Sequence, residues 1–299
     1  MKPQFVHLRL HTEFSLIDSC IRIDSMVKAA KTQSMCAIAV TDFNNLFSLI
    51  KFYKSAQSAG IKPLVGADFL ILDPSDVSKP GNLLLLVQNQ VGYKNLIELI
   101  SRGYREGQRH GVPHIEESWL KGKTDGLIAL SGAQKGSIGL AINSGRGQTA
   151  EEYLQTFMAL FPNRFYLELQ RVSRPGEEAY IESAIQLALD YRCPVVATND
   201  VCFLHPDEFD THEARVCIHE GRTLDDPRRE KRYSEQQYLR SDAEMSELFE
   251  DIPEALKNTY EIARRCSLNL SLGKYSLPEF PVPKGMTTNQ YFVQLAEQG

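Results

Sequence analysis

The feature that most constrains the fold is a series of short, near-continuous runs of Val, Ile, Leu and Ala alternating with longer amphipathic stretches. Seven β-rich runs fall at residues 5–11, 37–43, 62–72, 82–89, 127–131, 165–171 and 194–200. Strands apolar on both faces are covered on both faces, as in a parallel sheet flanked by helices. Helical periodicity is carried by 23–32, 93–104, 149–161 and 177–191, with Thr149 and Glu152 spaced as a capping box. Repeated β-then-α units predict a parallel α/β sheet, and seven runs favour a closed or nearly closed barrel.

Beyond about residue 203 the strand signals stop. Helical segments are expected at 206–220, at 241–249 with Ser241 and Glu244 as a capping box, and at 253–266. Three prolines within 278–283 read as a linker, and a further helix opens near Thr288. The chain ends inside that helix, the pattern expected of a piece of a longer protein. The organisation expected is a barrel core over 1–205, a helical extension over 206–276, and a linker with the start of another domain over 277–299.

With 299 residues and 42% hydrophobic content the chain can bury a full core. A formal charge of −5 gives no bulk basic signal for nucleic acid. No apolar run reaches the roughly 18 residues of a membrane span, and the start lacks a signal-peptide stretch. The six cysteines are scattered, with no Cys-x-x-Cys pair. Reduced thiols and a cytoplasmic location without membrane contact are therefore expected.

In parallel α/β folds, chemistry sits at the C-terminal ends of strands. His7, Arg9 and His11 alternate with Val6, Leu8 and Leu10, which predicts three polar side chains on one face. Asp18 follows in a loop, and Asp42, Asp68 and Asp200 close three other strands, with Cys202 sharing a face with Asp200. Carboxylates converging from several strands suit a divalent cation, but the histidine supply is thin and Arg9 would repel a metal. Without metal, Arg9 is expected to neutralise Asp18, Asp68 and Asp200 by bidentate pairing.

These residues resemble a known family. FVHLRLHTEFSLID (5–18) is similar to the first motif of the polymerase and histidinol phosphatase (PHP) domain, in the version that heads bacterial DNA polymerase III alpha subunits. Similar matches are AVTDFNNL (39–46), IKPLVGAD (61–68), GYKNL (92–96), LSG (130–132), VATND (196–200), DIPEALKNT (251–259) and LPEFP (277–281). The resemblance runs in order over essentially the whole chain. It implies a distorted seven-stranded (β/α)7 barrel, TIM-barrel-like, with a helical C-terminal extension.

Metal-binding members build their site from nine positions: five His, two Asp, one Glu and one Cys. His11, Asp18 and Asp200 match these, and Asp68 stands where Glu is usual. Arg9, Phe43 and Asn82 replace histidines, Ala133 replaces the Cys, and Cys202 replaces the last His. Phe43 and Ala133 cannot ligate; Cys202 could as a thiolate. His11, Asp18, Asp68 and Asp200 remain weak metal candidates, with no metal or cofactor expected here. The loss pattern resembles proteobacterial alpha subunits, which rely on a separate exonuclease subunit, epsilon, for proofreading.

The resemblance thus implies a non-catalytic docking module for epsilon within the polymerase III holoenzyme. DNA contact, nucleotidyl transfer and Mg2+ would belong to the rest of the alpha chain. The alternative is a residual metal-dependent phosphoesterase, a 3′–5′ exonuclease or pyrophosphatase. His212-Glu213 with His219 misses the metalloprotease spacing, and Arg228 to Arg232 reads as a solvated charge run before it reads as a phosphate-binding one.

Overall fold

The computed structural model of the chain describes residues 5–72, 79–274 and 280–299. The chain divides into two compact units, Met1–Leu268 and Asn269–Gly299. In the second, α10 (Thr288–Gln298) begins with a Thr287/Gln290 capping box, as the signal near Thr288 predicts. Of the expected linker, Pro278 lies outside the described residues.

The first unit carries a curled, half-barrel α/β sheet. Its strands are β1 (Ala37–Val40), β2 (Lys62–Leu72), β3 (Gly81–Val87), β6 (Ile115–Glu116), β7 (Leu127–Leu130), β8 (Phe165–Gln170) and β9 (Val195–Thr198). The order is β1-β2-β3-β7-β8-β9, with β6 beside β2; β4 (Gln108–Arg109) and β5 (Val112–Pro113) form a separate two-stranded ladder. Helices α1 (Ile23–Thr32), α2 (Leu49–Ala59), α3 (Gln90–Glu106), α4 (Ser137–Asn143), α5 (Gly147–Leu160) and α6 (Glu177–Tyr191) are interspersed among the strands. Then come α7 (Phe209–Glu220), α8 (Asp242–Leu248) and α9 (Pro253–Arg265).

Two expectations about the sheet are corrected. It is not wholly parallel, because β3 runs antiparallel to both β2 and β7. Only residues 73–80 separate β2 from β3, too few for the helical crossover a parallel return requires. Among the described residues the sheet has seven strands, six on the path β1-β2-β3-β7-β8-β9 and β6 off it; residues 5–11 form no regular strand and make the isolated bridge Leu10–Val201. That segment still bonds on both sides: Ala39 and Thr41 N–H donate to the His7 and Leu10 carbonyls, and His11 N–H donates to Val201 O.

The strict alternation expected of residues 5–11 also fails. Val6 and Leu8 pack inside the curl with Leu64, Leu84, Leu86, Leu130 and Val196. Leu10 packs outside, with Met26, Val27 and Phe52 of α1 and α2. Arg9 reaches Asp68 and Glu168. Leu8 and Arg9 therefore both turn inward, which a regular strand cannot do, and the phase of the pleat shifts between them. His7 is left apart, with its ring edge-on to Phe5 and bonded to Arg240 O.

Most expected helices form. Helix α5 differs at its start: it opens at Gly147 after Arg146, with no side-chain cap, so Thr149 and Glu152 lie inside it and make no box. Helices α2 and α4 are not among the expected ones, although Leu49, Phe52, Tyr53 and Ala56 are buried at helical spacing. The Ser241/Glu244 box on α8 is complete. Ser241→Ala should lower stability by about 1 kcal/mol, read by chemical denaturation. Helix α9 contributes Ile262, Ala263 and Cys266 to the interior cluster, and its Thr259 hydroxyl accepts from Val6 N–H.

Candidate functional site

Along the inward face β2, β8 and β9 start apolar and end polar. Leu64 precedes Asp68 on β2, Tyr166 precedes Glu168 on β8, and Val196 precedes Thr198 and then Asp200 on and just past β9. On antiparallel β3 the order reverses, so Asn82 comes before Leu84 and Leu86. The result is a dry layer of Leu8, Leu84, Leu130 and Val196 beneath a charged layer.

Arg9 stands at the centre of the charged layer, 3% exposed. Its Nε and Nη2 donate to Glu168 Oε1 and Oε2 at 2.7 and 3.0 Å, and its Nη1 donates to Asp68. The bidentate partner is thus Glu168, and among Asp18, Asp68 and Asp200 only Asp68 is in direct contact. Glu168 is wholly buried and accepts further bonds from Gly132 N–H, Gln170 and Thr198. Asn82 donates to Asp68 at 3.1 Å. Burial alone would depress the guanidinium, but Asp68 and Glu168 more than offset it and hold Arg9 above the ordinary arginine value.

Asp18 belongs to His11, whose Nδ1 lies 2.8 Å from Asp18 Oδ2 and whose Nε2 lies 3.5 Å from Asp68. Burial opposes charge on that ring, yet the two carboxylates raise it well above the ordinary histidine value. Asp200 is held by Arg174, by Lys135 at 3.4 Å and by Gln237 at 3.1 Å. Against burial, Lys135 and Arg174 keep its carboxyl well below the usual range. Cys202 lies beside it, within 3.6 Å of the Gln237 amide. Burial and then the Asp200 and Asp18 charges push the Cys202 thiol well up, so it stays protonated and is a poor ligand. Phe43 bridges to Asp68 through its backbone, and Ala133 is buried at a φ of 49°.

Four cations (Arg9, His11, Lys135 and Arg174) thus meet four carboxylates (Asp18, Asp68, Glu168 and Asp200) in one layer. Asp42 stands outside it, its oxygens taken by the hydroxyls of Thr12, Ser15 and Ser48. Three buried atoms, His11 Nε2, Asp18 Oδ1 and Asp68 Oδ1, lack a hydrogen bond. His11 is paired with Asp18 and Asp68 with Arg9, however, and among the described residues no three His, Cys, Asp or Glu side chains are grouped to hold a metal ion. The donor set does not fit a divalent cation, because the positions such an ion would need are filled by fixed positive charge.

Sequence reasoning missed Glu168, Lys135, Arg174 and Gln237. Glu168 was legible: a carboxylate between Leu167 and Leu169 in an otherwise apolar run is a buried charge awaiting a cation. Lys135, Arg174 and Gln237 sit beyond strand ends, where sequence carries no directional signal. The basic run resolves differently from a solvated stretch: Arg229 is buried on Glu213 at 2.6 Å, while exposed Arg228 folds onto Asp226.

The curled α/β sheet thus gathers its ionisable side chains at the strand ends. The family model described as PHP domain matches residues 7–172, and the chain belongs to that family. All 299 residues align with the DNA polymerase III subunit alpha of Pseudomonas aeruginosa at 52% identity and with that of Pseudomonas fluorescens at 51%. The subunit alpha of Escherichia coli K12 is 46% identical over 298 residues. The chain spans about a quarter of these relatives, 26% of each. An amidohydrolase structure from Chromobacterium violaceum aligns over 70% of this chain and 96% of its own, at 12% identity and a TM-score of 0.47. Among the described residues no helix is long and apolar enough to cross a membrane.

Proposed function

We propose that this chain forms the N-terminal part of a bacterial replicative DNA polymerase alpha subunit, and that its PHP domain is a non-catalytic structural and docking module for the proofreading exonuclease, epsilon. The reading rests on one observation above all: Arg9 occupies the centre of the pocket and is held bidentately by buried Glu168. A fixed guanidinium there supplies the charge compensation a metal cluster would supply, without any Lewis acidity. The nine positions at Arg9, His11, Asp18, Phe43, Asp68, Asn82, Ala133, Asp200 and Cys202 are, on this reading, the remnant of a metal pocket. Polymerisation with Mg2+, contact with DNA and assembly into the holoenzyme would fall to the rest of a longer cytoplasmic chain.

We also infer that residues 5–11 complete a distorted seven-stranded barrel between β1 and β9, supported by their bonds to both neighbours. On the same reading 1–205 is the core, 206–276 a helical extension, and 277–299 leads into the next domain.

Two measurements test the function. Sedimentation of the chain mixed with purified epsilon should show a saturable complex, and its absence would remove the docking role. Protein purified without chelator should carry no stoichiometric metal and show no manganese-stimulated exonuclease or pyrophosphatase activity. Activity that is lost in Asp200→Asn would instead establish a residual phosphoesterase.

A further inference from the structure

Between α7 and α8 the chain runs through residues 222–238 with no helix, and with only one bridge, Phe203–Tyr238. This strap lies across the charged layer. Its Gln237 is wholly buried and donates to Asp200 Oδ2 and to the Asp200 carbonyl, with Cys202 Sγ beside it. Tyr233 packs edge-on to the His212 ring at 4.6 Å, with Lys135 Nζ over its own ring at 5.5 Å. Burial, and then the Asp18 and Asp200 charges, hold the Tyr233 phenol well above its usual value. Behind it, His212 bonds to the Asp18 carbonyl at 3.0 Å.

What fixes the strap is uneven. Residues 234–238 are pinned by hydrogen bonds of Ser234 to Val172 O, of Asn199 to Gln236 O and Tyr238 O, and of Cys202 N–H to Gln237 O, which makes that end the hinge. Most of residues 222–232 are exposed, and their charges pair among themselves on the surface: Arg222 and Arg228 with Asp226, Arg232 with Glu230. Such pairs contribute little. Arg229 is the exception. Its guanidinium meets Glu213 of α7 at 2.6 Å, and both side chains are 5% exposed. An irregular segment hydrogen-bonded at one end, with mostly exposed residues and one buried ion pair at the other, is the kind of element that opens locally while the rest of a domain stays folded.

We propose that residues 222–238 are a hinged cover over the charged layer, latched by Arg229 and Glu213, and that the pocket opens by release of this strap with the sheet intact. The inference does not depend on the docking role, since it concerns access to the pocket whatever the pocket binds.

Cys202 and Cys266 provide the test. Cys202 lies under the strap, 1% exposed, and Cys266 lies in the interior cluster beside α9, 2% exposed. Alkylation by iodoacetamide, followed peptide by peptide by mass spectrometry in the full-length protein, reads local opening at the first and global unfolding at the second. Cys202 should react faster than Cys266 in the unaltered protein. Glu213→Gln should accelerate Cys202 on the order of tenfold or more, with Cys266 unchanged. Should that variant not fold, Glu213→Gln with Arg229→Gln leaves no buried charge unpaired and is read the same way. A common rate for both cysteines in the unaltered protein, or a parallel rise in both on unlatching, would mean that the strap leaves only when the whole domain unfolds.

Discussion

Arg9→Ala lowers the unfolding free energy by about 3–5 kcal/mol, read as a shift of the urea midpoint at unchanged m-value. The size follows from what the substitution leaves behind. Asp68 and Glu168 are 1% and 0% exposed; Glu168 loses the guanidinium that holds it and Asp68 is left with His11 at 3.5 Å, neither gaining solvent. Removing charge from the whole group should cost much less, because an ion triad replaced by packed apolar side chains is often close to neutral. The variant carrying Arg9→Met, Glu168→Leu and Asp68→Asn is therefore expected to be more stable than Arg9→Ala alone. Equal losses in the two would show that packing volume, and not charge, holds this layer together.

His7 gives the second large effect, through pH. It is 1% exposed, its Nε2 donates to Arg240 O at 2.8 Å and its Nδ1 has no partner. Burial above all, with Arg240 nearby, lowers it to about 4. The unfolded ring takes a proton near pH 6.5 while the folded ring does not, so stability falls as pH drops from about 6.5 to about 4 and then levels. The loss amounts to about 3 kcal/mol, and His7→Gln, which keeps a donor for Arg240 O, should abolish it. His114 and His212, also lowered by burial, act in the same direction below pH 6.5, so the His7 share is the difference between the unaltered protein and His7→Gln. His11 is raised, so its contribution is complete below pH 6.5 and disappears as pH climbs through its folded value. Asp68 and Asp200 are lowered, so theirs disappears only below the ordinary carboxylate value. Denaturation curves of the unaltered protein and of His7→Gln, compared at pH 4, 5, 6 and 7, isolate the His7 share by difference.

The sequence made the layers visible because apolar runs and helical spacing are local properties. Residues 62–72, 165–171 and 194–200 were recognisable as strands from their own composition, and Ser241 with Glu244 as a cap from three residues of spacing. What was not legible depends on partners far along the chain. The reversed direction of β3 is set by the short link after Leu72, which periodicity does not report. The phase shift at Leu8 and Arg9 looks like clean alternation until Glu168, 159 residues away, claims the guanidinium. Asp18, Asp68, Asp200 and His11 were identified as a group from strand ends, but which cation serves which carboxylate is a matter of side-chain reach. Arg174 and Lys135 enter from loops, and no pattern in the sequence aims them at Asp200.

The N–H of Val6 bonds to Thr259, 253 residues later. On a ribosome adding about 5–20 residues per second, Val6 waits roughly 13–50 s before its partner exists. Through that interval Val6, Leu8 and Leu10 have no finished surface to settle on, and Arg9 has no Glu168 until 159 further residues have followed. During that interval the nascent chain presents apolar Val6, Leu8 and Leu10 and an unpaired Arg9, and this segment is where a chaperone would have most reason to hold it.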